Sequence, residues 1–191
     1  MAVARVLVTQ DQALHEAFPK ASLERKTAYL TPEQAKKVEE MAGTSPTSKV
    51  VTYYVATAPP ESNSTHAAGG RPAILASAWF DTHIVRTLPE TVMVVVSPAG
   101  TVMKVEILSF EEPVEYMPRP RWFDEFAGKK LDRDLAPGGA IPSVTGATLS
   151  SRAVTAATRR VLALHSVLIS APLSAASAAP APPPPPPEAK P

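Results

Sequence analysis

The chain of 191 residues contains no cysteine. Disulfides, thiolate-bound zinc, iron–sulfur clusters, c-type haem attachment and cysteine nucleophiles are therefore excluded together. An excess of charge of one sign is missing too: 19 Lys and Arg stand against 18 Asp and Glu, a formal net charge of +1. That balance, with no face alternating basic and aromatic residues, argues against nucleic acid as a partner. No stretch approaches the ~18 consecutive apolar residues of a transmembrane helix. Residues 1–10 give an apolar run too short and broken for a signal peptide. The four histidines, His15, His66, His83 and His165, have no H-x-x-x-H spacing for a metal and read as surface or internally satisfied side chains.

What is abundant is proline. Of 22 prolines, nine lie in residues 171–191, whereas all eight glycines lie before them. The chain therefore divides into a folded domain over residues 1–170 and a Pro/Ala-rich tail over residues 171–191, expected to be disordered. Six consecutive prolines at 182–187 read as a polyproline II spacer.

Within the domain, Thr9 and Gln12 form a capping box before a short helix that Pro19 stops. Thr31-Pro32-Glu33-Gln34 repeats the signal more strongly, and Gly43 ends that second helix. Strands are expected over residues 23–30, 49–57 and 73–85, with a long polar loop over 58–72. Residues 91–97 and 101–110 flank Ser97-Pro98-Ala99-Gly100 as a hairpin. Residues 111–121 carry three prolines and read as an extended loop. Residues 122–127 give a helical turn or two, 131–142 a loop, and 149–169 one amphipathic helix. Strands and helices that mix without strict alternation predict an α+β fold, a mainly antiparallel sheet packed with helices. Asp81 and His83, two apart on one strand, read as a sheet-surface pair. Arg159-Arg160, and Arg119 with Arg121, read as ordinary surface charge.

The run with chemical content is Thr145-Gly146-Ala147-Thr148-Leu149-Ser150-Ser151-Arg152-Ala153-Val154, directly before the last helix. The first amides of a helix have no intrahelical acceptor, and the dipole adds partial positive charge there. Gly146 and Ala147 keep the surface low, so a phosphate could reach the backbone. The same residues also read as an ordinary cap, with Thr148 or Ser150 as the capping hydroxyl.

This run resembles the flavinylation motif of the FMN-binding domain family, whose core is Ser/Thr-Gly-Ala-Thr/Ser. That family includes the covalently flavinylated peripheral subunits of the sodium-pumping NADH:quinone reductase and of Rnf complexes. Glu115-Tyr116, Trp122, Phe126, Gly128 and Lys129 resemble the segment before the motif, and the likeness spans about residues 50–168. With no membrane helix, the chain is more similar to small exported members than to the large complex subunits.

The resemblance implies FMN held covalently by a phosphoester at Thr148, within a cofactor site of Thr145, Gly146, Ala147, Thr148 and Leu149. It implies Tyr116 and Trp122 as a flavin wall and Lys129 as a counter-charge to the phosphate. A separate FAD:protein FMN transferase would attach the group, so no catalytic base is needed here. The implied role is electron transfer with a membrane-associated redox partner such as a cytochrome or quinone reductase. The implied location is exported, periplasmic or on the outer face of the cytoplasmic membrane, with the cytoplasm as the alternative. Where the family usually has Asp, this chain has Pro142. That departure leaves a second reading, a flavin-free or weakly FMN-binding interaction module with the same fold.

Overall fold

The computed structural model describes residues 5–59, 66–67 and 71–170. The expected tail, 171–191, lies outside the described residues, as does most of the polar loop. The chain forms strands β1 (Arg5–Val6), β2 (Ser22–Tyr29), β3 (Val50–Thr57), β4 (His66–Ala67), β5 (Arg71–Pro72), β6 (Ile74–Ile84), β7 (Pro89–Val96) and β8 (Val102–Phe110), with helix α1 (Gln10–Ala17) after β1, α2 (Pro32–Ala42) after β2, and α3 (Pro120–Phe123) and α4 (Thr148–His165) after β8. Six strands form one sheet in the order β1-β8-β7-β6-β3-β2, with each neighbouring pair antiparallel. The architecture is α+β, as expected. Within the expected polar loop, β4 and β5 make a separate two-residue ladder.

Side-chain alternation divides the sheet into two buried faces. On β6 and β7, Trp79, Val92, Val94 and Val96 point to one side and join Val38 of α2 and Val154, Ala157 and Val161 of α4. Ala76, Ala78, Met93 and Val95 point to the other and meet Ala13 and Leu14 of α1. The strand period of two, set against the helical stripe of α4, produces this sandwich.

Both expected capping boxes are present, at Thr9–Gln12 and Thr31–Gln34. Gly43 closes α2 in the left-handed conformation, φ 74°. The hairpin around residues 97–100 is also present as β7 and β8. Other expectations need correction. Residues 111–121 are not simply extended: Val114–Tyr116 form a 3-10 turn and α3 starts at Pro120. Pro113 stands just before one turn and Pro120 at the start of the other, where a missing N–H removes no helical bond. The last helix starts at Thr148 and ends at His165, followed by a π turn, Ser166–Ser170. No described helix is long and apolar enough to cross a membrane.

The arginines of α4 are the clearest correction. Arg160 is buried and makes a two-pronged contact with Asp81, Nε to Oδ2 at 2.9 Å and Nη2 to Oδ1 at 2.7 Å. Arg159 donates to the carbonyls of Met41, Ala42, Asp132 and Leu135, stitching α4 to the end of α2 and to the loop before the motif. Asp81 is buried and the His83 side chain is only 8% exposed, so the pair is not on an open sheet surface: both face α4, because they share the parity of Trp79. His83 Nδ1 lies 2.8 Å from Asp81 and its Nε2 lies 3.2 Å from Glu90, its cross-strand partner on β7.

Candidate functional site

Residues 131–147 bring the chain to the start of α4. Ile141 is fully buried and anchors this loop. The indole of Trp122 donates to the carbonyl of Pro142 at 2.8 Å, tying the loop to the aromatic cluster of Trp122, Phe123 and Phe126. A tight turn follows, closed by the Ala147 amide donating to the Val144 carbonyl at 3.1 Å. Gly146 stands in it at φ 84°, a conformation that glycine adopts without strain.

The helix that starts here has no side-chain cap. Its N-cap is Ala147, with φ −123° and ψ 31°, and Thr148 is the first helical residue. The capping reading of Thr148 or Ser150 is therefore overturned. The Thr148 hydroxyl turns back and donates to the Val144 carbonyl at 3.3 Å. The amides of Thr148, Leu149 and Ser150 precede the first intrahelical bond, which Ser151 donates to Ala147. Ser150 Oγ is buried with no hydrogen-bond partner. A helix entrance with free amides and an orphaned hydroxyl is a receptor for a polar or anionic group.

Around it lies a pocket of about 240 Å³ lined by Arg86, Tyr116, Gly146, Ala147, Thr148, Leu149 and Ser150. The Arg86 guanidinium sits over the Tyr116 ring, 4.9 Å from its centroid, in cation–π geometry. Arg86 belongs to the β6–β7 turn, and Glu112 holds that turn. Its carboxylate accepts from the amides of Arg86, Thr87 and Leu88 at 3.2, 2.7 and 3.0 Å. These bonds keep the Glu112 carboxyl below the usual range. Leu149 is exposed beside Thr148 and offers an apolar surface.

Of the residues expected at the site, Tyr116, Gly146, Ala147, Thr148 and Leu149 line this pocket. Thr145 is in the exposed turn just before it. Trp122 does not line it: its ring is in the core and its part is to hold the Pro142 carbonyl. Lys129 does not line it either, and its backbone pairs with Val102 and Phe126. Arg86 and Ser150 supply the cation and the buried hydroxyl that the sequence reading did not assign. A turn two strands away in sequence carries no motif, and only the Glu112 contacts reveal how Arg86 is aimed.

The residues present fit FMN. The amide triplet, Ser150 Oγ and Arg86 suit its phosphate, Thr148 Oγ1 is at the same place, and Tyr116 and Leu149 suit a flat apolar ring. The pocket is smaller than the ~300–1,000 Å³ of full ligand cavities, consistent with a group that it holds by one end. No curated protein matches the chain. Residues 88–163, which run from the β6–β7 turn into α4 and include every expected site residue, match the model of the family described as FMN-binding domain, and this match supports a flavin-binding domain with FMN as its cofactor.

Proposed function

We propose that this protein is an electron-transfer flavoprotein that carries FMN covalently through a phosphoester to Thr148. The observation that carries the reading is the uncapped entrance of α4: free amides and Arg86 line one pocket with a threonine that does no capping work, and the buried Ser150 hydroxyl next to them has no partner among the described residues. Bound FMN would supply reversible uptake and release of one or two electrons. The chain's own part is to hold it. The α4 amides and Arg86 balance the phosphate charge, Tyr116 and Leu149 shield one side of the ring, and Ser150 donates a hydrogen bond.

A threonine hydroxyl needs outside activation to act as a nucleophile. Among the described residues its hydrogen-bond partner is the Val144 carbonyl, which is no base. A separate FAD:protein FMN transferase is the modifying partner in this reading. Electrons would pass to a membrane-associated partner such as a cytochrome or quinone reductase, on the outer face of the cytoplasmic membrane. Similarity to the flavinylated peripheral subunits of the sodium-pumping reductase and of Rnf complexes belongs to the same reading.

The second reading, a flavin-free module of the same fold, rests on Pro142 at the position before the motif. Co-expression with the transferase separates the two. The first reading expects a flavin that survives denaturing electrophoresis and fluoresces in the gel. The second expects a dark band.

A further inference from the structure

Glu112 is buried, although the residues that follow it, Pro113, Val114 and Glu115, are exposed. One of its carboxylate oxygens, Oε1, accepts from three successive amides, those of Arg86, Thr87 and Leu88, and lies 3.4 Å from the Thr87 hydroxyl. Successive amides turned toward one point form an anion-binding nest, and here the anion is a side chain of the same molecule. Such charge-assisted bonds are about twice as strong as neutral ones.

The filled nest joins the two segments that flank the Thr148 pocket. Arg86 stands on the pinned turn, and Tyr116 lies in the 3-10 turn Val114–Tyr116 that starts two residues after Glu112. Both line the pocket, and the guanidinium is 4.9 Å from the centroid of the ring. Glu112 therefore sets the backbone of both partners of the cation–π contact. The Glu111 amide, bonded to the Pro89 carbonyl at 3.2 Å, ties the same segments a second time. Arg86 itself is exposed, and among the described residues no carboxylate pairs with its guanidinium. A carboxylate bound to the guanidinium would fix it too, but would cancel its charge. Glu112 holds the backbone instead and leaves the cation unpaired at the pocket. A cation kept in this way attracts a phosphate and adds nothing for an uncharged ring.

We propose that Glu112 is a positioning residue for phosphate recognition: it holds Arg86 against Tyr116, and through Arg86 it makes the Thr148 pocket prefer FMN over riboflavin, the same flavin without its phosphate. The proposal rests on the reading of this pocket as the FMN site.

The first test needs no flavin. In the NMR spectrum of the full chain, the Tyr116 ring current should move the Arg86 side-chain protons upfield. Glu112→Ala should return them to the positions of a free arginine, whereas Glu112→Gln keeps an acceptor oxygen and should hold most of the shift. Where Glu112→Ala proves unstable, Glu112→Asp withdraws the carboxylate by one methylene and should act in the same direction. The second test is non-covalent binding of FMN and riboflavin, measured without the transferase. The parent should bind FMN more tightly than riboflavin. An Arg86 pose populated about one-fifth of the time weakens binding about fivefold, which is the loss expected for FMN on Glu112→Ala, with riboflavin binding unchanged. In an Arg86→Gln background, Glu112→Ala should add no further loss, because a residue that acts through another is not additive with it. Equal losses for FMN and riboflavin would overturn the proposal, as would an additive double variant. Unshifted Arg86 protons in a parent that binds FMN would overturn it and leave the FMN reading standing. A parent that binds neither flavin would remove that reading, and the proposal with it.

Discussion

The two ends of α4 treat charge in opposite ways. Toward the C-terminal end, Arg160, Asp81 and Glu90 are buried, the His83 side chain is nearly covered, and hydrogen bonds join the four. At the N-terminal end, the helix amides have no cap, Ser150 Oγ has no partner and Arg86 rests on an aromatic ring. Paired charge inside a protein fixes how elements sit on one another, even though Glu90 Oε1 and His165 Nε2 at this end have no partner among the described residues. Unsaturated polar groups at a surface pocket are available to something else. The contrast assigns structure to one end of the helix and ligand binding to the other.

The contrast is tested hardest at Arg160. Arg160→Met leaves the Asp81 carboxylate buried without its cation, and breaking a buried pair in this way costs about 3–5 kcal/mol. Urea unfolding should show that loss. Thr148→Val, at the exposed end, should change stability by no more than about 0.5 kcal/mol. Equal effects at the two ends would erase the distinction.

Titration of the buried end gives the next effect. Burial, with the nearby Asp81 charge, pushes the Glu90 carboxyl above its ordinary 4.5, and His83 only partly offsets this. Burial also opposes charge on His83, but bonds from Asp81 and Glu90 outweigh it and lift the imidazole above 6.5. For Asp81, burial is likewise outweighed, by His83 and Arg160, and its carboxyl stays below 3.8. The raised Glu90 costs stability progressively once the pH passes 4.5, the unfolded value. The raised His83 contributes stability that is complete below 6.5 and lost as the pH climbs through its folded value. Both slopes point the same way, so stability should fall with rising pH between about 5 and 8. Asp81 contributes the opposite slope, lost only on acidification below 3.8. Glu90→Gln should flatten the decline from its acid start just above 4.5, read from urea midpoints across that range. A decline of unchanged steepness would show that Glu90 does not titrate as its burial requires.

Smaller effects sharpen the ligand end. Arg86→Gln should weaken non-covalent FMN binding about tenfold, ~1.4 kcal/mol, with melting unchanged. Trp122→Phe removes the indole bond to the Pro142 carbonyl and should cost about 1 kcal/mol. Because that bond holds the loop leading to Thr148, flavin attachment should slow rather than stop. An unaltered attachment rate would show that Trp122 serves the core alone.

The layout was legible where local chemistry decides it. Two capping boxes, Gly43 and the hairpin turn specify their elements with no help from distant residues. The Thr145–Leu149 stretch was legible as a glycine turn feeding a helix, which is a local pattern, whereas its cofactor role came only from resemblance to the family motif. What was hidden depends on partners far apart in sequence. Arg160 reads as surface charge until Asp81, 79 residues away, is seen beneath it. Arg86 has no signature at all, since its aim is set by Glu112 across 26 residues. Trp122 and Lys129 were placed by resemblance, and their environments are the core and a backbone ladder. The short β1 escaped notice because two residues carry no period.

The central claim is that Thr148 is the attachment point, and intact-protein mass after co-expression with the transferase tests it most directly. The parent should carry one FMN adduct. Thr148→Ser keeps the hydroxyl and should retain some adduct. Thr148→Val keeps the shape without the oxygen and should carry none. Thr145→Val, in the turn outside the helix entrance, should lower the yield without abolishing it. A full adduct on Thr148→Val would contradict the assignment, and no adduct on the parent protein would favour the flavin-free module.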